Sequence, residues 1–180
     1  MPLLPIRTRR LELVPLSHAF LDALLAGRRD EAQALASFPV PAYWPGEHEG
    51  HFRMRLDQMQ RDPATGPWLV RALVLRDDGR EAVGRAGFHG PTGVNGQHDP
   101  AAVEIGYDVD PEHRRNGYAS EAVLGLIEWA AAEHGIRRFL ASISPANAPS
   151  LGVARKLGFV QVGTQWDEED GEELVFELRR

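Results

Sequence analysis

The stretch from Val109 to Ala119 combines the residue types that bind a phosphate-containing ligand. It joins the end of a predicted strand to the start of a predicted helix. Backbone N–H groups at a helix start have no intrahelical partner and lie at the positive end of the helix dipole, so they can bind a pyrophosphate. Gly117 lets the backbone approach such an anion, while Arg114 and Arg115 lie where cations are otherwise unfavourable. The pattern indicates an anionic ligand. The alternative is an ordinary strand–turn–helix with solvated arginines.

Composition narrows the class of protein. The 180 residues, 43% hydrophobic and 26% charged, fit a globular chain with one domain, which we expect to span 1–180. Cysteine is absent, which excludes disulfides, thiolate metal sites and thiol catalysis and fits a cytoplasmic protein. A net charge of −6 argues against nucleic-acid binding. No run approaches the roughly 20 apolar residues of a membrane helix, and the start of the chain does not fit a signal peptide. The basic cluster Arg7, Arg9 and Arg10 is interpreted as a solvated strand edge.

The elements around the loop alternate between strand and helix patterns. Alternating polar and apolar residues predict a half-buried strand over 7–16. A strand over 102–109, a helix over 117–134 and a strand over 138–144 form a crossover unit, which favours parallel pairing of its two strands. The other predictions are helices at 17–27, 47–61 and 149–157 and hairpins of 68–75 with 81–89 and of 159–166 with 172–178. The hairpin turns fall at 77–79 and within the acidic run 167–173.

Two separated motifs together resemble the coenzyme A site of the GNAT acyltransferases. The first is Arg114-x-x-Gly117-x-Ala119, which follows Val109-x-Pro111. The second is Asn147-x-x-Ser150, which is followed by Val153, Lys156, Leu157, Gly158 and Phe159. The run Glu104-Ile105-Gly106-Tyr107 and the second motif are most similar to the branch that includes the RimJ/RimL-type protein N-terminal acetyltransferases. Each motif alone is weak, but their order and spacing together are specific.

This resemblance implies an α/β (α+β) GNAT fold. Its central, mixed and twisted seven-stranded sheet, flanked by helices, would split between the fourth and fifth predicted strands, 102–109 and 138–144. The pantetheine arm of acetyl-CoA would lie in the split and bond the exposed strand edge. Main-chain groups of Tyr107 and Val109 would contact that arm, and Asn147 would bond it or the adenosine side. The pyrophosphate would be surrounded by Arg114, Arg115, Asn116, Gly117, Tyr118, Ala119 and Ser120.

Acyl transfer to an amine needs a neutral amine, a polarised thioester carbonyl and a protonated leaving thiolate. On the resemblance, Glu104 beside the split is the candidate base, and Ser150 is the candidate acid for the sulfur. Many GNAT members place a tyrosine seven residues after the asparagine, but Ala154 occupies that position here. Two alternatives stay open: Glu104 is a solvated or arginine-paired strand residue, and Ser150 caps a helix beginning near Leu151. Strand alternation predicts that Tyr107 faces away from Glu104.

Other polar and aromatic residues carry weaker predictions. His48 and His51 have the spacing of a metal pair on one helix face, but without cysteine or further clustered histidine we expect no metal. His89 and His98 flank a loop and either line the acceptor site or are solvated. The aromatic residues of loop 37–46 either wall the acceptor cleft or pack in the core or on the surface.

The sequence therefore predicts an N-acetyltransferase that uses acetyl-CoA. The acceptor is a primary amine, either a protein N-terminus or a small molecule, which attacks directly in a ternary complex. The alternative is a catalytically inactive CoA-binding regulatory module, which would need neither Glu104 nor Ser150. The expected partners are acetyl-CoA and the amine, with no metal, nucleic acid or membrane partner. A homodimer and the length of the donor acyl group are left open.

Overall fold

Eight strands and five α-helices form within residues 4–77, 79–168 and 171–180, the part of the chain that a computed structural model describes. The strands are β1 (Ile6–Arg7), β2 (Leu11–Pro15), β3 (Arg71–Leu75), β4 (Ala82–Phe88), β5 (Ala102–Val109), β6 (Arg138–Ile143), β7 (Val160–Asp167) and β8 (Gly171–Arg179). The helices are α1 (His18–Leu25), α2 (Arg29–Leu35), α3 (Glu49–Arg61), α4 (Tyr118–His134) and α5 (Ala148–Leu157). Asp78, Glu169 and Asp170, on which the two predicted hairpin turns fall, lie outside the described residues.

All the described strands belong to one sheet, in the order β1-β2-β3-β4-β5-β6-β8-β7. β5 and β6 run parallel, as the crossover unit predicts, whereas β4 with β5 and β6 with β8 are antiparallel. The pairing of β5 with β6 ends at Glu104, opposite Leu140. Beyond Glu104 the two strands part. The predicted split between 102–109 and 138–144 is therefore confirmed.

The sheet has eight strands instead of the predicted seven because the first predicted strand is broken in two. Residues 8–10 turn the chain, with the Thr8 N–H donating to the Leu11 carbonyl over 2.9 Å. β1 then folds back antiparallel to β2. The predicted half-burial is also wrong, since Glu12 in β2 is only 6% exposed. Burial of this carboxylate is tolerated because Arg7 and Arg80 both pair with it.

The predicted helices are present with ends that differ by a few residues. Ser17 caps α1, as predicted, and its hydroxyl accepts the Phe20 N–H over 3.2 Å. Helix α2 is an addition to the predicted elements. It has no side-chain cap at its start, and Ala32 is the buried residue it contributes, so its sequence lacks an apolar stripe.

Helices cover both faces of the sheet, and each face has its own core. Helices α4 and α5 contribute to one buried cluster, and α1, α2 and α3 contribute to the other. Phe38 and Trp44 from loop 37–46 lie in the second cluster, 3% and 2% exposed. Tyr43 stays half-exposed, and its hydroxyl donates to Asp110 over 2.5 Å. The two most buried aromatic residues of this loop thus pack in the core.

β4 contains a bulge opposite β3. Arg85 pairs with Ala72 but Ala82 pairs with Val74, so three steps along β4 match two along β3. Gly84 lies between these positions with a φ of +152°, and a Cβ on it would meet a carbonyl oxygen of β5 at 2.3 Å. Only glycine fits at this point of the bulge.

The bulge changes which side chains of β4 face each helical layer. Ala82, before the bulge, packs in the cluster of α1, α2 and α3, whereas Ala86, after it, packs in the cluster of α4 and α5. In a regular strand, Ala82 and Ala86 would lie on the same face of the sheet, because they are four residues apart. Arg85 and His89 are consequently directed into the cavity described below.

Replacing Glu12 by glutamine is expected to destabilise the fold by about 1–3 kcal/mol at neutral pH. Hydrogen bonding from Arg80 is the first cause that lowers the pKa of Glu12 below 4.5, and the bond from Arg7 adds to it against the effect of burial. A lowered pKa in the folded state gives stability that is present above the unfolded pKa and is lost as the pH falls through the folded one. In urea unfolding, the free energy of unfolding of wild type should therefore exceed that of Glu12→Gln by less near pH 3 than at neutral pH. An undiminished difference in acid would contradict this account.

Candidate active site

A cavity of about 930 Å³ opens where β5 and β6 part. Residues of α3, β4, β5 and the loop between β4 and β5 line one part of it, and residues of β6, the start of α5 and the β7–β8 hairpin line another. Four of the sequence-predicted site residues lie in this lining: Glu104, Tyr107, Asn147 and Ser150. The predicted pyrophosphate loop, 114–120, is not part of the lining and follows the carboxyl end of β5.

The carboxyl half of β5 presents an unpaired edge toward the split. The Glu104 carbonyl accepts the His89 N–H over 2.9 Å, and the Asp110 N–H donates to the Val83 carbonyl over 3.0 Å. The even-numbered residues of β5 therefore direct their main-chain groups toward β4. In an antiparallel ladder the intervening residues direct their N–H and C=O groups to the opposite side. Tyr107 and Val109 therefore direct theirs toward the split. In keeping with this, the Val109 carbonyl accepts a hydrogen bond from Arg114 Nε over 2.9 Å.

Glu104 is held as a buried carboxylate in the cavity wall, 1% exposed. The Ser142 hydroxyl donates to one carboxylate oxygen and the Gly96 N–H donates to the other, both over 2.6 Å. His89 Nδ1 lies 3.6 Å from the second oxygen, and Gln165 donates to the Ser142 hydroxyl over 2.9 Å. None of the described arginines lies within ion-pair distance. Glu104 is thus neither solvated nor paired with an arginine.

Tyr107 faces away from Glu104, as strand alternation predicts. Its ring packs against the cluster of α4 and α5 together with Ile105 and Val109 of the same strand. Its hydroxyl donates to the main-chain carbonyl of Ser150 over 3.4 Å. Tyr107 therefore joins the start of α5 to the parted strand.

Asn147, not Ser150, caps α5. The Asn147 Oδ1 atom accepts the Ser150 N–H over 3.2 Å, and the helix begins at Ala148. Ser150 lies within the first turn, so its interpretation as the cap of a helix beginning near Leu151 is wrong. The Ser150 hydroxyl hydrogen-bonds to none of the described residues and lines the cavity.

His89 shares the cavity with Glu104, and its side chain is 41% exposed. Surrounding protein lowers the pKa of His89, the Glu104 carboxylate opposes this, and the Arg55 cation adds to it. A neutral imidazole beside a carboxylate can accept and pass on a proton. The first of the two alternatives for His89, that it lines the acceptor site, agrees with this position. His98 is not among the residues that line the cavity.

The turn before α4 leaves the helix start open. Gly117 precedes the helix with a φ of +80°, Arg115 has a φ of +62°, and no side chain caps the first turn. Left-handed residues beside a helix start gather consecutive N–H groups into a concave anion site. Ser120, in the first turn of the helix, is buried. The Arg114 side chain is 55% exposed, with its guanidinium 3.8 Å from Asp108.

Arg10 contacts this turn, so its interpretation as part of a solvated strand edge is wrong. Its guanidinium donates to the Asn116 carbonyl over 2.9 Å and lies 4.7 Å from the centroid of the Tyr118 ring. Its main chain and Nε bond the Glu121 carboxylate over 2.6 and 2.7 Å. Arg10 therefore supports the shape of the turn. No local pattern indicates this contact, because the bonded residues are 106 positions apart.

Two arginines in the cavity lining, Arg55 and Arg85, are not among the sequence-predicted site residues. A signal for Arg55 does exist, since it falls on the buried face of α3 with Phe52, Leu56 and Met59. A charged residue on the apolar stripe of a helix is uncommon and indicates a partner in the interior.

Two groups of described side chains could supply metal ligands. The ligand atoms of His48, Asp108 and Asp110 lie within 4.8 Å of one another. The second group is Glu81, Glu112 and His113. His51 belongs to neither group: burial and the Arg55 cation lower its pKa to about 3, so it is a neutral acceptor for Arg55. The spacing of His48 and His51 therefore does not bring them into one set of ligands.

A mixed sheet that parts beyond Glu104, with an unpaired strand edge in the gap and an open helix start beyond it, defines the acyl-CoA-dependent N-acyltransferase class. Residues 10–160 match the family model described as the acetyltransferase (GNAT) domain. The chain belongs to the GNAT acetyltransferase family. It is an acetyl-CoA-dependent acyltransferase.

Relatives and structural neighbours agree with this assignment. YjdG of Bacillus subtilis (strain 168), an uncharacterised N-acetyltransferase, is 30% identical over 160 residues, covering 86% of this chain and 89% of YjdG. A Bordetella pertussis protein assigned to the GnaT family superimposes with a TM-score of 0.66 at 27% identity, covering 97% of this chain and 98% of that one. RimL, a ribosomal L7/L12 alpha-N-protein acetyltransferase solved with coenzyme A, shares the fold with a TM-score of 0.63 at 21% identity, covering 97% of each chain. None of the described helices has the length and apolar character needed to cross a membrane.

Proposed function

We propose that this protein transfers an acetyl group from acetyl-CoA to a primary amine by direct attack in a ternary complex. The observation that carries the proposal is the buried Glu104 carboxylate in the wall of the cavity, at the point where β5 and β6 part. A binding module would not need a carboxylate there, and burying one costs free energy. The Ser150 hydroxyl in the same cavity supports the same conclusion.

The donor is expected to bind along the open edge of β5. Tyr107 offers its main-chain N–H and carbonyl to the pantetheine arm, and Val109 offers its N–H. Tyr107 and Asn147 line the cavity. The turn from Arg114 to Ser120 offers N–H groups to the pyrophosphate, together with the exposed charges of its two arginines.

The chemistry follows from the two side chains in the cavity. Glu104 takes a proton from the acceptor ammonium, directly or through water, which frees the nitrogen lone pair. The nitrogen bonds to the thioester carbonyl carbon, and a main-chain N–H near Tyr107 polarises the carbonyl oxygen. The carbon–sulfur bond breaks, Ser150 gives its hydroxyl proton to the sulfur, and water reprotonates Ser150. Glu104 then returns its proton to solvent. The nitrogen, which carries one proton more than the product amide needs, also loses that proton to solvent.

The test is release of free thiol from acetyl-CoA in the presence of a panel of amines, with mass detection of the products. The panel includes peptides with free N-termini and small primary amines, so it also decides between these two acceptor types. We expect stoichiometric thiol and acetylated amine with at least one acceptor. Binding of coenzyme A without turnover on any acceptor would favour the regulatory module.

Ser150→Ala is expected to lower kcat by about 100-fold, within the range typical of a missing general acid. Coenzyme A affinity should stay within a few-fold of wild type, because the Ser150 N–H to Asn147 bond is made by the main chain. Steady-state kinetics and calorimetry with coenzyme A separate the two effects. Ser150→Thr retains a hydroxyl and should keep most of the activity. Equal activity of the alanine and threonine variants would remove Ser150 as the acid.

A further inference from the structure

Arg55 is a buried cation without a carboxylate partner among the described residues. It is 7% exposed, and its hydrogen bonds go to three neutral acceptors: His51 Nε2 at 3.2 Å, Gln58 Oε1 at 2.7 Å and the His89 carbonyl at 3.3 Å. Its Nη2 atom donates to none of the described acceptors. Burying a charge without a counter-charge is costly, so the position calls for an anion that none of the described residues supplies.

The neighbours of Arg55 increase this cost. Burial and the Arg85 cation lower the pKa of Arg55 to about 10, so it still carries its charge at neutral pH. Arg85 has its own partner, Asp108, at 3.3 Å. His51 also lines the cavity, and its Nδ1 atom is buried without a hydrogen-bond partner among the described residues. On the α3 side of the cavity, the Nη2 group of Arg55 is thus a cationic donor that no described acceptor uses.

The opposite charge lines the same cavity from other elements. Glu104 comes from β5, Asp167 from β7 and Glu173 from β8. The cations come from α3 and β4. A ligand in this space therefore meets positive groups from one set of elements and negative groups from another, which fits a molecule that carries both an ammonium and an anionic group.

We propose that the acceptor carries a carboxylate or phosphate close to its amine and that Arg55 binds this anion. The inference rests on the proposed function. Arg55 contacts the carbonyl of His89, and Glu104 approaches the ring of the same residue, so the two ends of the acceptor site flank a single residue. This closeness favours a compact acceptor. The free Nη2 group of the Arg55 guanidinium suits either oxyanion, because a charge-assisted hydrogen bond forms with a carboxylate or a phosphate alike.

The test compares matched pairs of acceptors with wild-type protein and acetyl-CoA. Glycine and glycinamide differ in a carboxylate, and ethanolamine phosphate and ethanolamine differ in a phosphate. We expect kcat/KM to be at least about 10-fold higher for the anionic member of at least one pair, and the pair that shows it identifies the oxyanion. The glycine pair is a strict test, because the ammonium of the amide loses its proton more readily and chemistry alone favours the amide. Equal or lower kcat/KM for both anionic members would overturn the inference.

Arg55→Met should abolish this preference by raising KM for the anionic acceptor, while kcat/KM for its uncharged counterpart stays within a few-fold. Arg55→Lys should retain part of the preference. Arg53→Met is the matched control: Arg53 lies on the same helix, its side chain is 55% exposed and it pairs with Glu49, so the preference should be unaltered. An equal loss with both members of a pair would indicate that Arg55 only positions His89, and would overturn the proposal.

The outcomes also separate this inference from the proposed function. If no amine of any charge is acetylated, the proposed function fails. If neutral amines are acetylated as well as anionic ones, the function stands and only the inference fails. Circular dichroism and coenzyme A affinity establish that each variant is folded. If Arg55→Met does not fold, the comparison of matched acceptors with wild-type protein still tests whether an anionic group on the acceptor raises kcat/KM.

Discussion

Glu104→Gln is expected to lower kcat by about 100- to 10,000-fold, the range typical of a missing general base. Glutamine has the same shape and can still accept from the Gly96 N–H and meet the Ser142 hydroxyl, so the fold and the cavity should be retained. What is lost is the ability to take a proton from the acceptor ammonium. The measurement is steady-state thiol release with an acceptor that the amine panel identifies.

The pH dependence makes this prediction specific to a base. Below the pKa of the acceptor amine, the wild-type protein must remove a proton, so the deficit of Glu104→Gln should be largest there. As the pH rises toward the pKa of the amine, solution supplies more free amine and the deficit should narrow. Glu133→Gln, on the exposed side of α4, is the control and should match wild type. If kcat of Glu104→Gln and kcat of wild type depended on pH in the same way, Glu104 would be excluded as the base.

Gly117→Val is expected to weaken coenzyme A binding by at least about 10-fold while the chain still folds. Gly117 has a φ of +80°, where a β-branched side chain costs about 1–3 kcal/mol of strain. The backbone should relieve this strain by moving, which disturbs the N–H groups at the start of α4. Space is not the obstacle, because a Cβ on Gly117 would lie an ordinary 3.4 Å from its nearest atom, Arg10 Nη2. Titration calorimetry with coenzyme A measures the change.

The other end of the same helix offers a matched control. Gly135 follows α4 with a φ of +68°, and a Cβ there would meet no atom within 4 Å. Gly135→Val therefore imposes a similar backbone strain far from the turn at 114–120. We expect it to lower stability as Gly117→Val does but to leave coenzyme A affinity unchanged. Equal affinities in both variants and wild type would show that the turn does not hold the pyrophosphate.

Much of the site could be predicted from short stretches of sequence. The open helix start at Gly117, the crossover between 102–109 and 138–144, and the opposite facing of Glu104 and Tyr107 all depend on residues close together in the chain. Dihedral preferences, helix ends and strand alternation act over such distances. The strand and helix order followed from them, with α2 missed because it has no apolar stripe.

The rest of the site depends on contacts between distant segments. Ser142 and Gly96 hold the Glu104 carboxylate from a neighbouring strand and a loop, and neither residue type indicates that role. Arg10 supports a turn more than a hundred positions away. Pairings of this kind are chosen by the whole fold, so no local pattern specifies them.

By itself the sequence determined the family, the split sheet, the open turn proposed to bind the pyrophosphate and the two candidate catalytic side chains, because motifs of fixed spacing identify them. Only the tertiary structure decided that Asn147 caps α5 and leaves the Ser150 hydroxyl in the cavity, and that Arg55, Arg85 and His89 share that cavity with Glu104. For Arg85 and His89 the physical reason is the bulge of β4, where one extra residue reverses the facing of the side chains that follow. Such a shift of register is set by pairing with β3, which the order of residues along β4 does not record. Arg55 and Asn147 reach the cavity from other elements, through packing that joins distant segments.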